Sequence, residues 1–310
     1  MEHETSEINN VSGFKLQASY HRPVLLKEAI KFLDPKPGEF IIDGTIDGGG
    51  HAEEILNHIG EKGTLLGIDW DKDMVAKCRA RLGNRKNVFL EHGNYADIVN
   101  NIENRKFGRA DGLLLDLGFS SEQLEESGRG FSFLKNEPLV MTYDKLRKPV
   151  KEILKDISEA ELAEIIKKFG EERFANKIAQ AIKAKEKIKS IETTGELAET
   201  VEYAVPGRYE RGRIHPATRT FQALRIYANN ELGNLQKLLD NLTKILKNGG
   251  RVVIISFHSL EDGLVKKNFR RMEKENKLKI VTKKIVKPME EEIIENPRSR
   301  SAKLRAATII

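Results

Sequence analysis

Several short stretches place chemistry-bearing side chains at the ends of apolar runs. In Asp43-Gly44-Thr45-Ile46-Asp47-Gly48-Gly49-Gly50-His51, three adjacent glycines exceed what a tight turn needs. Such glycines let a ligand approach the backbone, and a helix opening here offers free N–H groups to a carboxylate. The dinucleotide fingerprint G-x-G-x-x-G is absent, which weakens a nicotinamide reading. Asp69 lies 21 residues after Gly48 and closes the next apolar run. A carboxylate there suits the two hydroxyls of a ribose, with helix capping, which Asp71 could also do, as the rival role. Tyr95 suits stacking on an adenine ring and equally suits a plain core. Asp116 ends the run Ala110–Asp116, where a carboxylate must face something polar, and Gln123 lies just beyond it. His258 follows another apolar run, either at the substrate or satisfied within its loop.

These residues need a frame that gathers them. Residues 23–33 read as a helix, with Pro23 in its first turn. Strands are expected at 39–43, 64–69, 87–91 and 110–116, separated by helices at 51–59, 72–82 and 96–103. Strands alternating with helices of this length make a parallel sheet, whose carboxyl edge carries ligands. From 122 to 215 no convincing strand occurs. Helices are expected at 158–169, 171–185 and 194–205, the first with a capping box of Ser158 and Glu161. A long helix from Pro216 to Gly249 follows, then a strand at 251–256, a basic helix at 259–274, and strands at 278–284 and 303–309 read as an antiparallel hairpin. The expected fold is therefore an α/β Rossmann-like methyltransferase sheet, mostly parallel with a terminal antiparallel hairpin, plus an inserted all-helical domain. The expected division is 1–19 as a disordered extension, 20–122 with 216–310 as the sheet domain, and 123–215 as the helical insert.

Composition narrows the setting. No apolar run reaches the roughly 18–20 residues of a membrane helix, and the polar first 20 residues lack the apolar core of an export signal. The single cysteine, Cys78, excludes an intrachain disulfide and suits a reducing cytoplasm. The scattered histidines give no zinc spacing, so no metal is expected. The net charge of +6 is mild, but basic residues crowd into 266–287 and 298–305, which read either as a solvated face or as a phosphate-binding surface.

Taken in order, further stretches extend the pattern: His21-Arg22-Pro23-Val24-Leu25-Leu26, Asp111 through Gly118, Ser120-Ser121 with Gln123-Leu124, and Arg129-Gly130-Phe131-Ser132-Phe133. Later come Gly170-Glu171-Glu172-Arg173-Phe174-Ala175, His215 through Ile226, Ile255 through Asp262, and Asn296 through Arg305. The ordered set resembles the bacterial MraW/RsmH family, which methylates the exocyclic amine of a cytidine in 16S ribosomal RNA of the small subunit. The resemblance covers about residues 20–308. It implies S-adenosyl-L-methionine as cofactor, contacted by Gly49, Gly50, His51, Asp69, Tyr95, Asp116 and Gln123. It also implies that the helical insert and the sheet edge form the cleft for RNA. A homodimer is compatible with this reading.

The sequence departs from the family twice. Asp47 stands where the family usually has glycine, and Leu139-Val140-Met141-Thr142-Tyr143-Asp144 lacks an Asp and an Arg found in the family's stretch. If those two pair with each other, losing both leaves no orphan charge. If they handle the RNA, target choice changes.

The expected chemistry is positional. Arg129, Arg213, Arg219 and Arg225 would grip RNA phosphates, with His215, His258, Arg298 and Arg300 as further RNA contacts. The target cytidine would be splayed into the cleft, and Asp116 would hydrogen-bond its amine. Three rivals stand beside this reading. A DNA amino-methyltransferase would carry an Asp-Pro-Pro-Tyr-like loop where Asp116-Leu117-Gly118-Phe119 stands. A non-catalytic or retargeted RNA-binding paralogue is motivated by Asp47, Val140 and Thr142. An NAD enzyme is disfavoured by the glycine pattern.

Overall fold

The computed structural model describes residues 23–118, 128–144, 146–207, 209–212 and 214–310. Gln123, Arg213 and the 1–19 extension lie outside the described residues.

The first half alternates as its apolar periodicity dictates: α1 (Leu26–Leu33), β1 (Phe40–Asp43), α2 (Gly50–Ile59), β2 (Thr64–Asp69), α3 (Lys72–Leu82), β3 (Val88–His92), α4 (Ile98–Asn104) and β4 (Ala110–Asp116). A helical stretch follows, with α5 (Val150–Asp156), α6 (Glu159–Gly170), α7 (Ala175–Ile188) and α8 (Thr194–Ala204). Then come α9 (Thr218–Asn229), α10 (Glu231–Asp240), α11 (Leu242–Ile245), β5 (Leu246–Ser256), α12 (Ser259–Lys274), β6 (Leu278–Ile280), α13 (Glu290–Glu295) and β7 (Lys303–Ile309).

The strands form one seven-stranded sheet in the order β3-β2-β1-β4-β5-β7-β6. The strands β1 to β5 pair in parallel, whereas β7 is antiparallel to both β5 and β6, as the hairpin reading expected. Alternation along the strands splits the core. Ile42, Leu66, Leu113, Leu115, Val252 and Ile254 pack on one face with α10 and α12. Ile41, Leu65, Leu114, Val253 and Ile255 pack on the other with α1 and α2. Both faces are covered, as a parallel sheet requires.

A separate apolar cluster fills the helical unit. It takes in Ala217, Phe221, Leu224 and Ala228, so α9 packs with the helical unit although the expected boundary fell at 215.

Several expected elements are redrawn. The long helix from 216 to 249 breaks at Asn230, which adopts φ 52° and closes α9. Asparagine tolerates that left-handed conformation better than most residues. Residues from Leu246 onward join the sheet, so Gly249 does not end a helix; its φ of 80° lies inside β5. Glu171, at φ 52°, terminates α6, which delays α7 to Ala175. Helix α1 starts at Leu26 because Leu25 sits at φ 52°. Helix α5 was not anticipated, and β6 is shorter than the expected 278–284.

Candidate active site

The carboxyl ends of β1, β2 and β4 deliver three aspartates to one edge of the sheet. Parallel pairing fixes this, because Asp43 lies opposite both Gly67 and Leu114. The glycine loop is tied down by its neighbours. Gly44 donates its N–H to Leu114 O at 2.9 Å, Ile46 donates to Ile68 O at 2.9 Å, and the Asp116 N–H donates to Thr45 Oγ1 at 2.6 Å.

Two glycines in that loop are required by geometry. Gly49 caps α2 at φ 81°, where an L side chain is strained. A Cβ on Gly50 would come within 2.3 Å of Pro23 Cγ. Gly50 lines the cleft at the helix N-terminus, whereas Gly49 faces Cys78.

The cleft brings together Gly50, His51, Asp69, Tyr95 and Asp116 from the expected cofactor set. Asp69 accepts the Asp47 N–H on Oδ2 at 2.9 Å and the Asp71 N–H on Oδ1 at 2.8 Å. Each oxygen keeps a lone pair for a hydroxyl donor. Asp116 accepts the Gly118 N–H at 3.1 Å, and its Oδ2 lies 3.9 Å from His51 Nδ1. The other ring nitrogen, His51 Nε2, is 3.1 Å from Val24 O, which makes it the donor and turns Nδ1 toward Asp116.

The electrostatics of this edge are unusual. Burial pushes the carboxyls of Asp43 and Asp69 up to about 7, and that of Asp116 up to about 8. Asp47 adds to all three by like-charge repulsion. Asp43 Oδ2 is buried with no hydrogen-bond partner among the described residues. Among the described residues the cleft lining holds five carboxylates, Asp47, Asp69, Asp116, Glu231 and Glu261, against one guanidinium, Arg298. Such a wall favours a ligand that brings positive charge and hydroxyl donors.

Asp47 adopts φ 44°. This is the region that glycine enters without penalty, and it accounts for the glycine that the resembled family places there. At Val140 and Thr142, the other departure, no buried side-chain polar atom is left unsatisfied among the described residues.

The structure uses several expected RNA contacts differently. Arg225 forks onto Glu231, with nitrogen–oxygen distances of 2.9, 3.2 and 2.9 Å. Burial opposes its charge, and Glu231 more than restores it, so its pKa is raised. A phosphate grip needs a guanidinium open to solvent, and this one is committed inside the cleft wall. His258 caps α12 in a capping box with Glu261, its Nε2 3.2 Å from Glu261 Oε1. Arg129 pairs with the buried Asp71 and donates to Tyr143 O at 3.3 Å. His215 is exposed, 2.8 Å from Glu202 and stacked on Phe133. Arg219 donates to Glu171 O at 3.4 Å, and Arg300 is exposed. Of the expected RNA set, Arg298 alone lines the cleft among the described residues.

Other wall residues were not anticipated. Trp70 stacks on Tyr143 with ring centroids 5.5 Å apart, and Arg147 lies over Trp70 at 4.8 Å. Trp70 adjoins Asp69, and Phe257 and Glu261 adjoin His258, so their neighbours pointed to them. Tyr143 and Glu231 come from the helical segment and the start of α10, and no spacing links those segments to the sheet edge. Glu231, His258 and Glu261 bring three ligand-type atoms within 4.8 Å of one another, but Arg225 already neutralises Glu231 and the cap bonds engage Glu261.

The model of the MraW methylase family matches residues 18–310. The chain belongs to that family. Curated relatives include a protein of Syntrophus aciditrophicus, 47% identical over 308 residues covering 93% of this chain and 97% of the relative. Another, from Halothermothrix orenii, is 43% identical over 303 residues, covering 93% and 97%. Both bear the name ribosomal RNA small subunit methyltransferase H. Among solved structures, a fibrillarin from Aeropyrum pernix with natively bound S-adenosyl-L-methionine is similar at 13% identity and TM-score 0.42, covering 91% of this chain and 74% of that one. TrmN from Thermus thermophilus is similar at 10% identity and TM-score 0.43, covering 92% and 48%. In this MraW-family chain Asp43, Asp69 and Asp116 end parallel strands at the carboxyl edge of the sheet, the edge at which ligands bind in folds of this kind.

Proposed function

We propose that this protein transfers a methyl group from S-adenosylmethionine to the exocyclic amine of a cytidine in 16S ribosomal RNA within the small ribosomal subunit, in the cytoplasm. The observation that carries the reading is the acidic cleft at the carboxyl edge of the sheet. The names borne by the relatives support RNA of the small subunit as the substrate.

The residues present fit the cofactor. S-adenosylmethionine supplies an electrophilic methyl on a sulfonium that is already a good leaving group. Asp69 offers free lone pairs to ribose hydroxyls, Tyr95 offers a face for the adenine, and the N-terminus of α2 offers N–H groups to the carboxylate. The excess of carboxylates stabilises the positive charge of the sulfonium and ammonium.

Asp116 acts on the nucleophile. A cytosine amine is weak because its lone pair is delocalised into the ring. Asp116 Oδ2 is the free oxygen of a carboxyl whose Oδ1 is fixed by the Gly118 N–H, and it accepts one amine hydrogen and orients the nitrogen. Positioning of this kind is worth roughly 7–11 kcal/mol in well-aligned reactants.

The test is transfer of labelled methyl from S-adenosylmethionine to small subunits lacking native methylation, followed by nucleoside analysis. N(4)-methylcytidine is the expected product. Another methylated nucleoside, or none despite cofactor binding, would replace this reading with a retargeted or non-catalytic paralogue.

A further inference from the structure

The acidic cleft poses a problem that the molecule must solve elsewhere. Five carboxylates line the site, and the guanidiniums of Arg129 and Arg225 are engaged by Asp71 and Glu231. With Arg298 as the one guanidinium of the described lining, the cleft offers phosphates little attraction, so a surface outside it is needed to supply that attraction.

Helix α12 leads out of the cleft. Its first turn holds Glu261 on the cleft wall, and Lys266, Lys267, Arg270, Arg271 and Lys274 follow, all exposed. At 1.5 Å per residue these cations extend from about 7 to about 20 Å beyond Glu261. The opposite face of the helix, with Val265, Phe269 and Met272, is buried against the sheet. Lys266 and Arg270 also border a small groove floored by Phe269 and Ile280, and Lys283 and Arg305 close its other side.

Charge and position together mark this face. Many cations elsewhere meet carboxylates, as in Arg81 with Glu53, Lys237 with Asp97, Lys247 with Asp111 and Arg251 with Glu39. Lys62, Arg85, Lys86 and Arg109 are exposed cations outside those pairs, but they precede β2, β3 and β4 at the sheet edge opposite the cleft, whereas α12 runs out from the cleft wall. Most acids near α12 are likewise taken: Asp262 by Arg305, Asp240 by Arg271, Glu275 by Lys277, and Glu273 by the Ile280 N–H, while Glu164 shares a groove with Lys267 and Lys168 without pairing to either. No carboxylate among the described residues pairs with Lys266, Lys267, Arg270, Lys274 or Lys283. A set of exposed, unneutralised cations on one face raises the local potential instead of cancelling it.

We infer that the outer face of α12, with Lys283 beside it, is a phosphate track that docks the RNA backbone outside the catalytic cleft. The inference rests on the proposed RNA substrate. It assigns affinity to Lys266, Lys267, Arg270, Lys274 and Lys283, and leaves chemistry to the acidic cleft. The track carries no base readout, so it acts on any RNA strand through its phosphates.

The test is the full-length variant K266Q/R270Q/K274Q/K283Q, with K62Q/R85Q/K86Q/R109Q as its control. The control removes four exposed cations that precede β2, β3 and β4, at the sheet edge opposite the cleft. Binding to a short random-sequence single-stranded RNA is measured across salt concentrations, and methyl transfer to unmethylated small subunits is measured alongside. The track variant is expected to lose RNA affinity and raise the KM for subunits by on the order of tenfold or more, with kcat and S-adenosylmethionine affinity unchanged. The plot of log affinity against log salt should become shallower by about 3, at about 0.7 per phosphate contact. Affinity, KM and slope equal to those of the wild type, or an equal loss in the control, would overturn the track. Failure of the wild type to methylate any subunit sinks the proposed function instead, and the RNA-binding arm, which needs no turnover, still decides the track. A charge-keeping variant, K266R/R270K, retains wild-type affinity if charge alone is used.

Discussion

The sheet edge and the helical unit both carry acidic side chains, and they treat them in opposite ways. In the helical unit, Glu192 lies within 2.9 Å of Lys151 and 2.8 Å of Lys155, which hold its carboxyl below the usual range. Glu196 bonds Lys189 and caps α8 with Thr193, and its carboxyl is held at about 2. At the sheet edge, Asp43, Asp69 and Asp116 are buried and pushed up to about 7, 7 and 8. The helical unit uses its charges to hold helices together. The sheet edge buries carboxyls whose ionised form the fold satisfies only in part, which suits a site for a cationic ligand.

The contrast can be broken most severely at Asp116. Asp116→Asn should lower the methyl-transfer rate by about 10²–10³-fold, the usual cost of removing one positioned polar group, with the melting temperature retained. Undiminished turnover in single-turnover assays would take Asp116 out of the reaction. Asp69→Ala should act on binding, weakening S-adenosylmethionine by the roughly 1.5–3 kcal/mol of a charge-assisted hydrogen bond, as read by calorimetry. An unchanged affinity would leave Asp69 a structural clasp for the Asp47 and Asp71 N–H groups alone.

Asp47→Gly should stabilise the protein by about 1–2 kcal/mol in chemical denaturation, because the residue adopts φ 44°. It should also lower the carboxyl pKa values of Asp43, Asp69 and Asp116, all of which Asp47 raises. Absence of any gain would mean that the Asp47 carboxylate stabilises the loop as much as its backbone strains it. In the helical unit, Thr193→Ala removes the cap of α8 and should cost about 1 kcal/mol with no change in kcat. A matching loss of turnover there would show that the two regions are not separate in function.

Much of the sheet edge was legible in the sequence because β/α alternation is written in local periodicity. Asp43, Asp69 and Asp116 each end an apolar run, and a parallel sheet sends all such ends to one edge. The glycine loop could be read for the same local reason. The break at Asn230 could not, because apolar spacing continues through it and only the left-handed backbone ends the helix. The roles of Arg225 and Arg129 were also hidden. Their partners Glu231 and Asp71 are fixed by packing: α9 turns at Asn230 to present Glu231, and the residue 128–144 segment lies against the loop after β2. A basic residue in a motif looks the same in sequence whether it faces solvent or a buried carboxylate.

The acidic sheet edge suits a positively charged cofactor. The three aspartates are raised from 3.8 to about 7 or 8, so between those limits the folded protein holds protons that the unfolded chain has released. That burial costs stability as pH rises through the window, and a ligand that favours the ionised carboxylates displaces the protons. The most direct measurement is calorimetric titration of S-adenosylmethionine into the protein at pH 5, 6 and 7, below the range where the cofactor's own ammonium titrates, repeated in buffers of different ionisation enthalpy. Proton release at pH 6 and 7, and affinity that rises from pH 5 to pH 7, are expected. Binding with no proton exchange and no pH dependence would contradict a sheet edge matched to a cationic cofactor.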